Sequence, residues 1–203
     1  MNTALTATFG NIDIYLFDQL LKGTYDSCRK VIDVGCGGGR NIVYFLQSGY
    51  DVYGIDPDAN AIAKVQALSL QLAPGNDEHN FLVAAAEDMP FAPASFDLAI
   101  CSAVLHFARD DAHFKAMLSA TWATLKPGGY LFARLASDIG IESLVQPLGN
   151  GRYRLPDGSV RYLVSEAMLL EHTRLLNGEL HEPIKTTNVS NMRCMTTWCL
   201  RKI

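Results

Sequence analysis

The chain has 203 residues, 49% of them hydrophobic, enough to bury one substantial core and too few for a second full domain, so a single domain over 1–203 is expected. The formal net charge of −4, with acids and bases interspersed, excludes the basic field of a general nucleic-acid binder, and no apolar run reaches the roughly 18 residues of a membrane span. Cys28, Cys36, Cys101, Cys194 and Cys199 form no Cys-x-x-Cys pair and Met1-Asn2-Thr3-Ala4-Leu5 has no charged-then-apolar leader, so a cytoplasmic protein with reduced thiols and no metal is expected.

Residues Met1 to Gly10 are small and polar, and Ile12, Ile14, Tyr15, Leu16, Phe17, Leu20 and Leu21 then give an amphipathic helix ending near Gly23. Val31-Ile32-Asp33-Val34 reads as a buried strand, and Gly35-Cys36-Gly37-Gly38-Gly39-Arg40 lets the chain turn where side chains would collide with a ligand. Asn41 to Leu46 restores helical spacing, so the turn is predicted to open directly onto a helix N-terminus, whose free N–H groups favour a negative group. A dinucleotide fingerprint fails here, because Arg40 stands where its third glycine belongs.

A second strand, Tyr50 to Asp56, ends in an acid about 20 residues past the turn. Asp56 can accept both hydroxyls of a ribose from the neighbouring parallel strand; alternatively Asp56-Pro57-Asp58 only caps the helix Ala59 to Leu72. After the turn Pro74 to Glu78 come a third strand, Asn80 to Ala84, the segment Ala85-Ala86-Glu87-Asp88-Met89-Pro90-Phe91, and a fourth strand, Ser95 to Cys101. Ser102 to Phe107 follows it and contains His106, a side chain readily tuned to take a proton near neutral pH. Asp110 and Asp111 begin a helix through Leu125, and Lys126-Pro127-Gly128-Gly129 turns into a fifth strand ending near Leu135.

Gly149 to Val164 alternates around Pro156-Asp157-Gly158, a hairpin signal. Ser165 caps a helix that ends at Asn177-Gly178, and Ile184 to Val189 with Cys194 to Leu200 reads as a closing antiparallel pair.

The pattern Asp33-x-Gly35-x-Gly37-x-Gly39, with the acidic segment before Pro90-Phe91, Ser95-Phe96-Asp97 and Leu125-Lys126-Pro127-Gly128-Gly129, resembles the class I S-adenosylmethionine-dependent methyltransferases over roughly Val31 to Leu135. The resemblance implies an α/β fold: a seven-stranded, mostly parallel, Rossmann-like methyltransferase sheet with helices on both faces and an antiparallel last strand. It implies S-adenosylmethionine as cofactor, held by Asp33, Gly35, Cys36, Gly37, Asn41, Asp56, Pro57, Ala86, Cys101 and Ser102, with Glu87 or Asp88 at the adenine. Relatives often have Asp where this chain has Ala85, which leaves the choice between those two acids open. Cys36 and Cys101 are otherwise small apolar fillers.

The same resemblance makes 1–24 a cap over the cofactor and 140–164 a lid, with acceptor contacts from Tyr15, His106, Arg134, Arg154 and Tyr162. The first helix could instead cover a sheet edge, and Arg134 could serve an ion pair. Arg152, Arg154 and Arg161 give the lid either a positive face suited to an anionic acceptor or a solvated one. His106 is a general base or a residue bonded to backbone, since thiolates, free amines and selenium or tellurium anions need no base. Gly39-Arg40-Asn41 and the compact size look similar to tellurite-resistance and thiol-type methyltransferases. No Asn/Asp-Pro-Pro-Tyr/Phe signature follows the fourth strand, so the expected partner is a small-molecule acceptor, with no nucleic acid and no membrane, for a monomer or homodimer. The rival readings are a non-catalytic S-adenosylmethionine-binding regulatory protein and a nicotinamide dehydrogenase.

Overall fold

The computed structural model describes residues 3–203; Met1 and Asn2 of the polar lead-in lie outside the described residues. The lead-in is otherwise helical, a correction to the single cap helix expected over 1–24: α1 (Thr3–Phe9) precedes α2 (Ile14–Leu21). Phe9 explains the extra helix, because its ring packs against Phe17 at 4.8 Å and Tyr44 at 5.5 Å, a tertiary contact that local composition does not announce. Asp13 caps α2, its Oδ1 accepting the Tyr15 amide.

Strands β1 (Lys30–Val34), β2 (Asp51–Asp56), β3 (Phe81–Val83), β4 (Phe96–Ser102) and β5 (Leu125–Ser137) pair in parallel in the order β3-β2-β1-β4-β5. Beyond β5 lie β11 (Arg193–Lys202), antiparallel to it, and then β10 (Lys185–Val189) at the edge. An eighth strand that the sequence reading lacks, β9 (Gly178–Leu180), pairs with the last residues of β11. The sheet is thus mostly parallel with antiparallel closing strands, as expected.

Alternation along the strands divides the core between two faces. Ile32, Val34, Ala99 and Leu131 point to one side, where α5 (Asp111–Ala123) and α6 (Glu166–Leu175) bring Phe114, Trp122 and Leu169. Val31, Leu98, Ile100 and Phe132 point to the other, against Phe45 of α3 (Val43–Gln47) and Ile62 and Val65 of α4 (Ala59–Leu72). Each such buried Phe, Leu or Ile stabilises the fold by about 1.5–3 kcal/mol.

Three local expectations change. The glycine turn does not open directly onto a helix: residues 37–42 run as turns, with Ile42 N donating to Gly39 O at 3.2 Å, and α3 has only five residues. The turn persists because Gly39 lies so close to α4 that a Cβ there would stand 2.8 Å from Leu68 Cδ2 and 2.9 Å from Val65 Cγ2. Lys126-Pro127-Gly128-Gly129 is a bulge inside β5, where Phe96 pairs with Leu125 but Leu98 with Tyr130, and α5 accordingly stops at Ala123. The lid hairpin gains a strand: β6 (Gln146–Gly149), β7 (Arg152–Arg154) and β8 (Val160–Tyr162) form a separate antiparallel sheet.

Between β1 and β4 the chain's crossovers diverge, one set of strands running toward β3 and the other toward β5. Ligands in open α/β sheets sit outside the carboxyl ends at such a switch point.

Candidate active site

At that point the carboxyl ends of β1, β2, β3 and β4 surround a cavity of about 460 Å³ whose walls include Gly35, Asp56, Pro57, Ala86, Glu87 and Phe107. Gly35, at φ +70°, passes so close to the loop after β4 that a Cβ would stand 2.4 Å from Val104 Cγ2. Asp56 ends β2, and its Oδ2 accepts the Gly37 amide at 2.9 Å while Oδ1 accepts the Asp58 amide at 2.9 Å. Each carboxylate oxygen keeps a further lone pair, so Asp56 orders the glycine turn and still has acceptors for a ligand. The helix cap falls to Asp58 instead, whose Oδ1 accepts the Asn60 amide.

Of the two candidate adenine acids, Glu87 is in the cavity wall and Asp88 is exposed outside it. Glu87 Oε1 lies 2.8 Å from His113 Nε2 and 3.7 Å from Arg109 Nη2. His113 Nδ1 accepts the Arg109 amide at 3.1 Å, so the ring's proton sits on Nε2 and is donated to Glu87. Burial pushes the Glu87 carboxyl up, but hydrogen bonds from its own backbone and His113 outweigh burial and hold it below the ordinary range. Arg109 and His113 were not singled out from sequence, and only the fold brings them to Glu87.

A second cavity, about 380 Å³, shares Gly35 and follows the glycine turn past Gly10, Cys36, Arg40, Asn41 and Ser102. Asp33 is fully buried; burial drives its carboxyl up to about 8, with Arg40 opposing, and Oδ2 has no hydrogen-bond partner among the described residues. The Cys36 thiol is pushed well up by burial, and the buried Cys101 thiol is pushed to about 12. Both sulfurs are therefore protonated fillers rather than nucleophiles.

Asp13, which sequence reading passed over, ties this region together while only 3% exposed. Its Oδ2 pairs with Arg134 Nη1 at 2.9 Å, faces Arg40 Nη2 at 4.0 Å and accepts the Ser102 hydroxyl at 3.4 Å, while its amide donates to Asn41 Oδ1 at 3.1 Å. An Asp directly ahead of an amphipathic helix was the available signal, since it marks an N-cap.

A third cavity, about 330 Å³, shares Ala103 with the first and lies between the sheet end and the lid, walled by His106, Arg134, Asp157, Arg161, Arg193 and Met195. His106 Nδ1 accepts the Ala136 amide at 3.1 Å, so a neutral ring carries its proton on Nε2. Burial, with Arg161 nearby, lowers its pKa to about 4. Of the two alternatives for His106, the geometry has the one bonded to backbone, since the Ala136 amide occupies the ring's one basic nitrogen.

Three expected acceptor residues lie elsewhere. Tyr162 is buried in the core, stacked on Phe114 at 4.9 Å with its hydroxyl donating to Asp111 Oδ1 at 2.8 Å, because β8 packs that face of the lid onto α5. Arg154 is exposed on the small sheet, as is Arg152, whereas Arg161 reaches the third cavity. Tyr15 lines a shallow groove with Ile14, Leu21 and Lys185, its hydroxyl 2.5 Å from Thr187 Oγ1 and its ring 5.1 Å from the Arg134 guanidinium. It therefore supports Arg134 from the side.

Comparison with known proteins places this geometry. A family model described as a methyltransferase domain matches residues 32–133. An uncharacterized methyltransferase of Synechocystis sp. is 35% identical over 101 residues, covering 50% of this chain and 44% of that protein. A ubiquinone biosynthesis O-methyltransferase of Ralstonia nicotianae is 30% identical over 134 residues, covering 62% of this chain and 54% of its own. The chain spans about half the length of the curated relatives it matches. Among solved structures, the Burkholderia thailandensis 1,6-didemethyltoxoflavin-N1-methyltransferase, with bound 1,6-didemethyltoxoflavin and S-adenosylhomocysteine, superposes with a TM-score of 0.67 at 17% identity, covering 99% of this chain and 85% of that one. That likeness is one of fold, and the family match runs from within β1 to within β5, through every strand end that walls the first cavity. The chain belongs to the methyltransferase domain family.

Proposed function

We propose that this chain is an S-adenosylmethionine-dependent methyltransferase acting on a small-molecule acceptor. The observation that carries the reading is the junction of two cavities at Gly35, with Asp56 at the β2 end of one and the glycine turn along the other. The residues present fit the cofactor. An apolar cavity with a carboxylate at its edge suits a nucleoside, and the glycine turn lined by Arg40, Asn41 and Ser102 suits a charged amino-acid moiety. The names of the relatives, and the S-adenosylhomocysteine held by the Burkholderia enzyme, agree with this.

When bound, the cofactor supplies an activated methyl on a sulfonium. The chain's contribution is binding, alignment and exclusion of water. Asp56 accepts hydroxyls, Gly35 allows close approach, and Ala86 and Glu87 wall the base end. Ala103, at φ +64° where the first and third cavities meet, separates cofactor and acceptor. His106 presents Nε2–H on the acceptor side and orients a group that accepts a hydrogen bond. The acceptor therefore attacks without a histidine base, which suits a nucleophile that is already ionised or carries a free lone pair.

In the same reading the protein works in the cytoplasm as a monomer or homodimer, with neither nucleic acid nor membrane as partner; the acidic net charge and five buried, unbridged cysteines support it. Among the described residues no helix is long and apolar enough to cross a membrane. The test is calorimetric titration with S-adenosylhomocysteine, then assay of its release from S-adenosylmethionine across a metabolite panel. Binding with turnover of a panel member is expected. Absence of binding overturns the reading, and binding without any turnover favours a regulatory protein.

A further inference from the structure

Only one of the lid arginines named from sequence, Arg161, reaches the third cavity, but the fold adds Arg134 from β5 and Arg193 from β11, residues far apart in the chain. Three guanidiniums thus face one carboxylate, Asp157, in that wall. Asp157 is largely engaged: Oδ1 accepts both the amide and the hydroxyl of Ser159, at 2.9 and 2.6 Å, and Oδ2 lies 4.0 Å from Arg193. Arg134 is neutralised from behind by Asp13, yet its Nε is buried with no partner among the described residues. Arg161 has no ion-pair partner among them; one Nη donates to the Val160 carbonyl and the guanidinium rests over the Phe107 ring at 5.1 Å.

Apart from Ser159, whose hydroxyl is turned to Asp157, the remaining wall is mainly apolar, with Ala136, Leu155, Val189 and Met195. His106 adds a further N–H and, being neutral, no charge. A cavity with donors on its charged side and hydrocarbon on the other selects a compact carbon body carrying an anion.

We propose that the third cavity is an acceptor site for a small organic acid, whose carboxylate is held by Arg161 and Arg193 and whose body lies on Leu155 and Met195. The proposal rests on the methyltransferase reading for the word acceptor, but the anion preference is a property of the cavity itself. Arg161 comes from the lid and Arg193 from the sheet, so an acid bound between them also ties the lid to the sheet over the transfer site.

The experiment is ligand-observed NMR of matched probes, benzoate with benzamide and phenylacetate with phenylacetamide, on the full chain with and without S-adenosylhomocysteine. Each acid is expected to bind roughly tenfold more tightly than its amide. In Arg161→Gln/Arg193→Gln that preference disappears while S-adenosylhomocysteine affinity stays at the wild-type value, which also certifies the fold. If the double variant does not fold, Arg161→Gln alone is used, with the preference expected to fall about threefold or more. Equal binding of acids and amides, binding of neither, or a preference that survives the substitutions overturns the proposal. Loss of S-adenosylhomocysteine binding alone, with the acid preference intact in wild type, would sink the cofactor reading and leave the anion site standing.

Discussion

Asp56 and Gly37, nineteen residues apart, are joined by a 2.9 Å hydrogen bond from the glycine amide to the carboxylate, so the residue proposed to grip the ribose also fixes the turn that precedes α3. Asp56→Ala removes both functions, freeing the Gly37 and Asp58 amides and deleting the acceptors at the β2 end. Affinity for S-adenosylhomocysteine is expected to fall by about 1–3 kcal/mol. Asp56→Asn, which keeps one oxygen, should lose less. Titration calorimetry reads both, and wild-type affinity in Asp56→Ala would count against the assignment.

The approach of Gly35 to Val104 gives a prediction with an internal control. Gly35→Ala adds a Cβ 2.4 Å from Val104 Cγ2 at a backbone φ of +70°, so it pays both a clash and a conformational cost. The left-handed backbone alone costs about 1–2 kcal/mol for a side-chain-bearing residue, and the clash adds to it. Gly35→Ala/Val104→Ala removes the clash and keeps the φ cost, so it should be destabilised by less than the sum of the two single variants. Additive losses in urea denaturation would show that the loop after β4 moves away freely.

His106 gives a stability signature rather than a catalytic titration. Its folded pKa is about 4 and its ordinary value 6.5, so between these limits the unfolded chain binds a proton that the folded chain does not. Stability contributed by this group is therefore present above pH 6.5 and lost as pH falls toward 4, by up to about 3 kcal/mol. His106→Gln, which can still accept the Ala136 amide, should show a flatter pH dependence over that window. Turnover in wild type should show no inflection near pH 6.5 from this ring; one that vanishes in His106→Gln would restore the base.

The strands were legible because β1, β2 and β4 are short and alternate in burial between the two core clusters, with β1 running into glycine and β2 ending in an acid, and α4 was legible to the residue from Asp58 and its apolar spacing. The first-cavity residues follow from chain position, since a strand end fixes where Asp56 and Gly35 must stand. The acceptor side was legible only in part: His106, Arg134 and Arg161 do wall the third cavity, but Tyr15, Arg154 and Tyr162 do not. Tyr162 belongs to the lid in sequence but to the core in space, because β8 turns that face onto Phe114, while Arg154 two strand positions before the lid turn points to solvent. Arg193 and the Arg134-facing oxygen of Asp13 act through long-range pairing, which residue spacing does not encode. The short α3 was missed because its helical spacing is real, but the contact of Gly39 with α4 holds the preceding six residues in turns.

Asp33 predicts the opposite pH dependence from His106, and the two can be separated by variants. Its folded pKa is about 8 against an ordinary 3.8, so between these limits the folded chain keeps a proton that the unfolded chain has released. The stability contributed by this group is full below pH 3.8 and is lost as pH rises toward 8, at about 1.4 kcal/mol per pH unit. Asp33→Asn is neutral throughout, so without cofactor its stability relative to wild type should increase steadily from pH 5 to pH 8 in urea denaturation. A difference that stays constant over that range would mean that the carboxylate is already ionised in the folded chain, with Arg40 compensating it. A steady gain would mean instead that the buried carboxyl keeps its proton in the folded chain at neutral pH.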